Sequence, residues 1–200
     1  LPKALWLICF GRETMQNINI QALCTYAKQF SGLDEEKIIT LQKAYEDVKL
    51  QLQEVTNRFY ARLIIIPKIQ PYLIDRIEVL KKTHVSWLHE LFTSDFGDEY
   101  TQHMYKVGYV HVQVKLQIEF MTGAMIILQE ELMEEFSKVY RNEPLKLFKV
   151  NRAIASATGF SSLVMQQSYQ ASTLAEELEK FLRITGMSRK LFNNLARAYQ

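Results

Sequence analysis

The chain has 200 residues, 48% of them hydrophobic and 23% charged, a balance that supports one substantial buried core and argues against a disordered chain. Its 24 basic and 22 acidic residues leave a formal charge of +2 with no Lys/Arg block, which excludes a phosphate-tracking stripe and argues against nucleic acid as a partner. No run approaches the roughly 18 apolar residues of a membrane span, and the two cysteines, Cys9 and Cys24, share no CxxC spacing, which removes a paired-thiolate metal site and fits a reduced, cytoplasmic setting.

Residues 1–14 precede a natural-looking opening at Met15, "MQNINIQAL", and read as upstream or appended sequence. Together with the stretch to residue 30 they are set apart as an N-terminal extension. Between Gly32 and Pro67 there is neither Gly nor Pro, which favours a long helix. Asp34 with Glu35 and Glu36 suits its start, because a side-chain acceptor and negative charge meet the free N–H groups there. Ile38, Leu41, Ala44, Tyr45 and Val48 follow the helical period, and Phe59, Leu63 and Ile66 continue it until Pro67 and Pro71 break it.

A second helix is predicted over 74–92, with Ile77, Leu80, His84, Trp87, Leu88 and Leu91 on one stripe, and "TSDFGDE" ends it. A third, over 99–116, places Val107, Val110, His111, Val114 and Ile118 on a shared face. A fourth covers 120–140. A fifth starts after Asn142-Glu143-Pro144 and runs toward Gly186, with a bend expected near Gly159. Beyond Ala171 the chain becomes amphipathic and more charged, so 31–171 reads as an all-α domain and 172–200 as the start of a helical linker.

Few side chains suggest chemistry. Glu130 with Glu131 and Glu134 with Glu135 read as a solvated helix face. Ser161 and Ser162 lack a neighbouring His and acid, and no HExxH or His/Cys/Asp cluster suggests zinc. Of the four histidines, His89 falls on the polar side of its helix, and His103 lies near a helix start where solvent is the expected neighbour. His84 and His111 are embedded in apolar stripes, where a plain core histidine is the commoner reading. A neutral imidazole in an apolar, water-poor cleft is also what an iron porphyrin requires. Tyr60, beside Phe59 on a buried face, either packs with its hydroxyl on a carbonyl or aims that hydroxyl at a bound gas. Thr83 most often bonds back to its own helix.

Taken in order, "VTNRFYARL", "IEVLKKTHVSWLHELF" and "YKVGYVHVQVKL" resemble the successive signature blocks of the globin-coupled sensor and protoglobin family, over residues 30–169. The resemblance implies a globin-like helical sandwich holding haem b, iron protoporphyrin IX, on His111. It also implies Tyr60 as the ligand-facing tyrosine, Thr83 as a second donor and Leu80 as an apolar wall beside them. Phe59, His84, Trp87, Val107, Val110, Val114, Ile118 and Met121 would then surround the cofactor, with His84 a core histidine or a sixth ligand. After the histidine the family has three residues and then Gly-Leu-x-Pro-x-Trp-Tyr. Here Lys115, Ile118, Phe120 and Met121 stand at the Gly, Pro, Trp and Tyr positions, and Leu116 alone is kept.

The function so implied is a gas sensor rather than an enzyme. It would bind oxygen, carbon monoxide or nitric oxide reversibly and relay its state through the helices of a homodimer to a C-terminal signalling domain. The dimer is expected to use the helices from Phe120 onward, with Met125, Leu128, Leu132 and Phe136 as apolar surface beyond one core's needs. Two readings compete. A haem redox enzyme, a nitric oxide dioxygenase or a peroxidase, finds no reductase or cofactor motif here. A haem-free interaction scaffold is opposed by the retention of His111.

Overall fold

Polar residues set the helix ends in the computed structural model, which describes residues 18–198. Asn19 accepts a hydrogen bond from the Ala22 N–H and opens α1 (Ile20–Ser31), and Gly32, at φ 64°, closes it in the left-handed conformation. This helix lies within the segment set apart as an extension, yet it packs on α6 (Asp98–Gln113) and α8 (Pro144–Thr185). Its Cys24 and Ala27 are buried, and the Cys24 thiol donates to the Phe96 carbonyl at 3.3 Å.

Asp34 caps α2 (Glu35–Val48) through the Lys37 N–H, as the acidic cluster predicts. The single long helix expected from there is divided, however. α2 stops at Val48 and α3 (Leu52–Ile64) follows a short turn in which the Gln51 N–H donates to the Val48 carbonyl at 2.9 Å. No Gly or Pro marks the break. Val48 and Leu52 flank it fully buried while Leu50 points to solvent, and the change of direction lets α2 lie on α8 while α3 turns onto α7 (Ile118–Val139). Tertiary packing overrides local propensity here.

After the short α4 (Gln70–Leu73) comes α5 (Ile77–Thr93), and α6, α7 and α8 complete the bundle. α8 runs unbroken through Gly159, where the expected bend gives no interruption. Gly186, at φ 66°, ends it ahead of α9 (Arg189–Ala198), whose Arg189 and Phe192 meet Glu179 and Phe181. Among the described residues there is no strand, and no helix is long and apolar enough to cross a membrane.

Two expectations about α7 are corrected. Met125, Leu128, Leu132 and Phe136 are all buried in the chain's own core, so they offer no spare surface to a second copy; the exposed apolar groups of α7 are Ile118 and Ile126. Nor are the carboxylates a uniformly solvated face. Glu130 and Glu134 are exposed, but Glu131 and Glu135, one turn apart, face α3 and are buried. Arg58 bonds Glu131 at 2.8 Å and Glu135 at 2.9 Å, and Arg62 bonds Glu130 at 2.8 Å and Glu131 at 3.1 Å. Both arginines are likewise one turn apart, so two facing ridges of opposite charge mesh.

Candidate functional site

Tyr60 of α3 and His84 of α5 meet in the interior, with the phenolic oxygen 2.7 Å from His84 Nδ1. The same Nδ1 lies 3.1 Å from the Leu80 carbonyl, and burial pushes the imidazole pKa down, so the ring is neutral. Two tautomers fit. If Tyr60 donates to a bare Nδ1, the hydrogen sits on Nε2, which then cannot ligate a metal. If Nδ1–H is shared between the Leu80 carbonyl and Tyr60, the Nε2 lone pair is free and the Tyr60 proton can point elsewhere. Phe59 packs 5.4 Å from the His84 ring and Trp87 6.2 Å from it.

A second polar chain anchors the next turn of α5. Ser161 of α8 donates to the Ala157 carbonyl, so it accepts from Tyr100 of α6 at 2.8 Å, and Tyr100 accepts from the Trp87 indole N–H at 3.1 Å. Every hydrogen in this chain is thereby assigned, and α5, α6 and α8 are tied at one level. The other two histidines serve elsewhere. His89 Nδ1 lies 2.8 Å from the Tyr45 hydroxyl, so it is paired rather than free at the surface, and His103 pairs with Glu90 at 2.8 Å, which raises its pKa.

His111 lies near the end of α6, and its position depends on two backbone features. One turn earlier, Gly108 lets α6 approach α8 so closely that a Cβ there would stand 2.7 Å from the Met165 carbonyl oxygen and 2.9 Å from Met165 Cα. One turn later the helix closes with the Leu116 N–H on the His111 carbonyl at 3.0 Å and the Lys115 N–H on the Val112 carbonyl at 2.8 Å. Lys115 takes the left-handed conformation, φ 57°, that such a cap demands, and Tyr72 donates to its carbonyl. The imidazole pKa is pushed down to about 4, first by burial and then by the nearby His84, and its buried Nδ1 has no hydrogen-bond partner among the described residues.

The remaining predicted residues divide by exposure. Phe59, Tyr60, Trp87 and Met121 are buried, and Leu80, Val107 and Val110 are half-buried. Val114 and Ile118, at the end of α6 and the start of α7, are exposed. Thr83 is exposed too, and its hydroxyl donates to the Val79 carbonyl one turn back at 3.1 Å, the ordinary behaviour of a helical threonine. Two open surface depressions, one beside Thr25 and Tyr26 and one beside Leu182 and Met187, share no residue with this cluster.

Sequence reasoning missed Gly108 and Tyr169. A glycine in a helix interior three residues before the key histidine was a legible signal for the first. Tyr169, whose ring centre is 6.4 Å from that of His111, carried no local mark. A haem needs a neutral imidazole, apolar and aromatic walls, and a polar group on the opposite side. His111 is a neutral imidazole, Phe59, Trp87 and Met121 are buried apolar or aromatic groups, and the Tyr60–His84 pair is polar, so the residue types such a group requires are present.

The protoglobin family model matches residues 20–175. Among solved structures, the globin domain of a Geobacter sulfurreducens globin-coupled sensor superposes with a TM-score of 0.65 at 20% identity, covering 72% of this chain and 96% of that one. No curated protein matches the chain.

Proposed function

The chain belongs to the protoglobin family, and on that premise we propose that it is a haem-based sensor of a diatomic gas, with His111 as the iron ligand. Haem b held there would supply reversible binding of oxygen, carbon monoxide or nitric oxide. His111 is suited to the bond because it is half-buried with Nδ1 shielded from solvent, and because burial keeps the ring uncharged above about pH 4. That combination carries the reading.

The chain's own groups define the two sides. Phe59, Trp87 and Met121 exclude water, and Leu80, Val107 and Val110 add apolar wall. Tyr60 supplies the hydrogen-bond donor on the gas side whenever His84 takes the tautomer that leaves the phenolic proton free. His84 is the competitor for the same position. Thr83, bonded to its own helix, is a minor donor at most. Signalling requires no catalysis: α8 touches α6 beside His111 and continues beyond the core, so it is the element through which a change at the site would reach a partner copy or a following domain.

The test is haem titration of the apoprotein by absorbance. His111→Ala should lose the Soret shift of a histidine-bound haem while helicity by circular dichroism is unchanged. Undiminished affinity with the same ferrous spectrum would remove His111 from the role.

A further inference from the structure

A histidine that holds a metal through one nitrogen nearly always donates its other N–H to a fixed acceptor, which sets the ring's orientation and basicity. Among the described residues His111 Nδ1 has no such acceptor, the helix carbonyl one turn back included: it is buried and unpaired. The Tyr169 hydroxyl, on α8, is a second buried polar atom with no partner among the described residues. The two rings are neighbours, with centres 6.4 Å apart and planes inclined at 46°. Two buried polar groups without partners, carried on neighbouring rings, are each destabilising while unpaired, and a hydrogen bond between them would satisfy both.

We infer that Tyr169 is the positioning residue for His111, its phenolic oxygen accepting the Nδ1–H bond once the imidazole is turned toward iron. The inference rests on the haem reading above. It assigns the hydroxyl to α8, the helix that Gly108 brings against α6, so the acceptor and the histidine are held by one helix crossing. Such a bond has a donor–acceptor separation of roughly 2.9 Å, and ring centres 6.4 Å apart are within reach of a phenolic oxygen turned toward the imidazole edge.

The variant is Tyr169→Phe, which keeps the ring and removes only the oxygen. Three measurements on the full chain decide the matter. The iron–histidine stretching band, read by resonance Raman on the five-coordinate photoproduct of the carbon monoxide complex, should fall in frequency, because a hydrogen-bonded imidazole is the stronger donor. Haem release to an acceptor protein should quicken by about 10- to 100-fold. The thermal midpoint of the apoprotein should stay the same or rise, since an orphaned hydroxyl has been removed. An unchanged Raman band in a haem-loaded variant overturns the role of Tyr169 and leaves His111 as ligand. A lowered apoprotein midpoint with an unchanged band assigns Tyr169 to packing and also overturns it. Failure of the wild-type chain to bind haem through His111 overturns both readings.

Discussion

Tyr60 sits in a place the sequence could indicate, on a buried face beside Phe59, but its partner was not legible. That partner is His84, twenty-four positions away, and the 2.7 Å contact makes the two residues one unit. Oxygen bound to ferrous iron gathers negative charge and carbon monoxide much less, so a phenolic donor favours oxygen selectively. A charge-assisted hydrogen bond of about 1.5–3 kcal/mol corresponds to roughly 10- to 100-fold in rate. Tyr60→Phe is therefore expected to speed oxygen dissociation by about that factor, with a much smaller change for carbon monoxide, as stopped-flow measurements on both gases would record. Equal acceleration of both would mean that the hydroxyl only fills space. The same substitution frees His84 Nδ1 to donate solely to Leu80, so a stronger six-coordinate ferrous spectrum should accompany it.

The helices were legible where periodicity and capping agreed, as at Asp34 and at Pro144, and illegible where packing alone decided, as in the turn between α2 and α3. The altered stretch after His111 shows how an unusual sequence keeps a familiar backbone. The family's Gly suits the left-handed cap that ends α6, and its Pro suits the first position of α7, which is Ile118 here. Gln117, at φ −69° and ψ 142°, already has the extended conformation that precedes proline. Lys115→Gly should stabilise the fold by about 0.5–1 kcal/mol by relieving the left-handed lysine, and Ile118→Pro by about 0.4–1 kcal/mol through the unfolded chain. Urea denaturation of each variant checks this, and a loss of stability in Lys115→Gly would contradict the cap geometry. Gly108 makes the opposite prediction. A methyl group there collides with the Met165 backbone, which cannot swing aside as a side chain would. Gly108→Ala should cost about 1–3 kcal/mol or more and loosen haem retention at the neighbouring His111, to be seen in denaturation and haem-release experiments.

At the scale of the whole molecule, the all-α class, the order of the main helices and the half-buried positions of His84 and His111 could be anticipated, whereas the Arg58–Glu131 ridge and the closeness of the two histidines required three dimensions. The shielding of both rings from water has a pH signature. In the unfolded chain each imidazole takes a proton near 6.5; in the folded apoprotein His111 resists until about pH 4 and His84 is shifted in the same direction. Between about pH 4 and 6.5 the unfolded state thus binds more protons at His111, so stability rises with pH there by up to about 1.4 kcal/mol per pH unit, and His84 adds a contribution of the same sign. His103 acts oppositely, its contribution present below about 6.5 and lost as pH rises through its raised folded value, but it is half-exposed and small. His111→Leu should flatten the acid limb of the apoprotein's denaturation free energy; an unaltered slope would place that ring in contact with water. The unbroken α8 has a mechanical consequence as well. Its 42 residues span about 63 Å, and its continuously buried part ends at Tyr169, beside His111, leaving 16 residues, about 24 Å, to Thr185. A rigid rod pivoting there works as a lever arm: a tilt of about 5° displaces its far end by about 2 Å over that length, so a sub-ångström adjustment at the fulcrum becomes a movement the size of a side-chain contact at the tip.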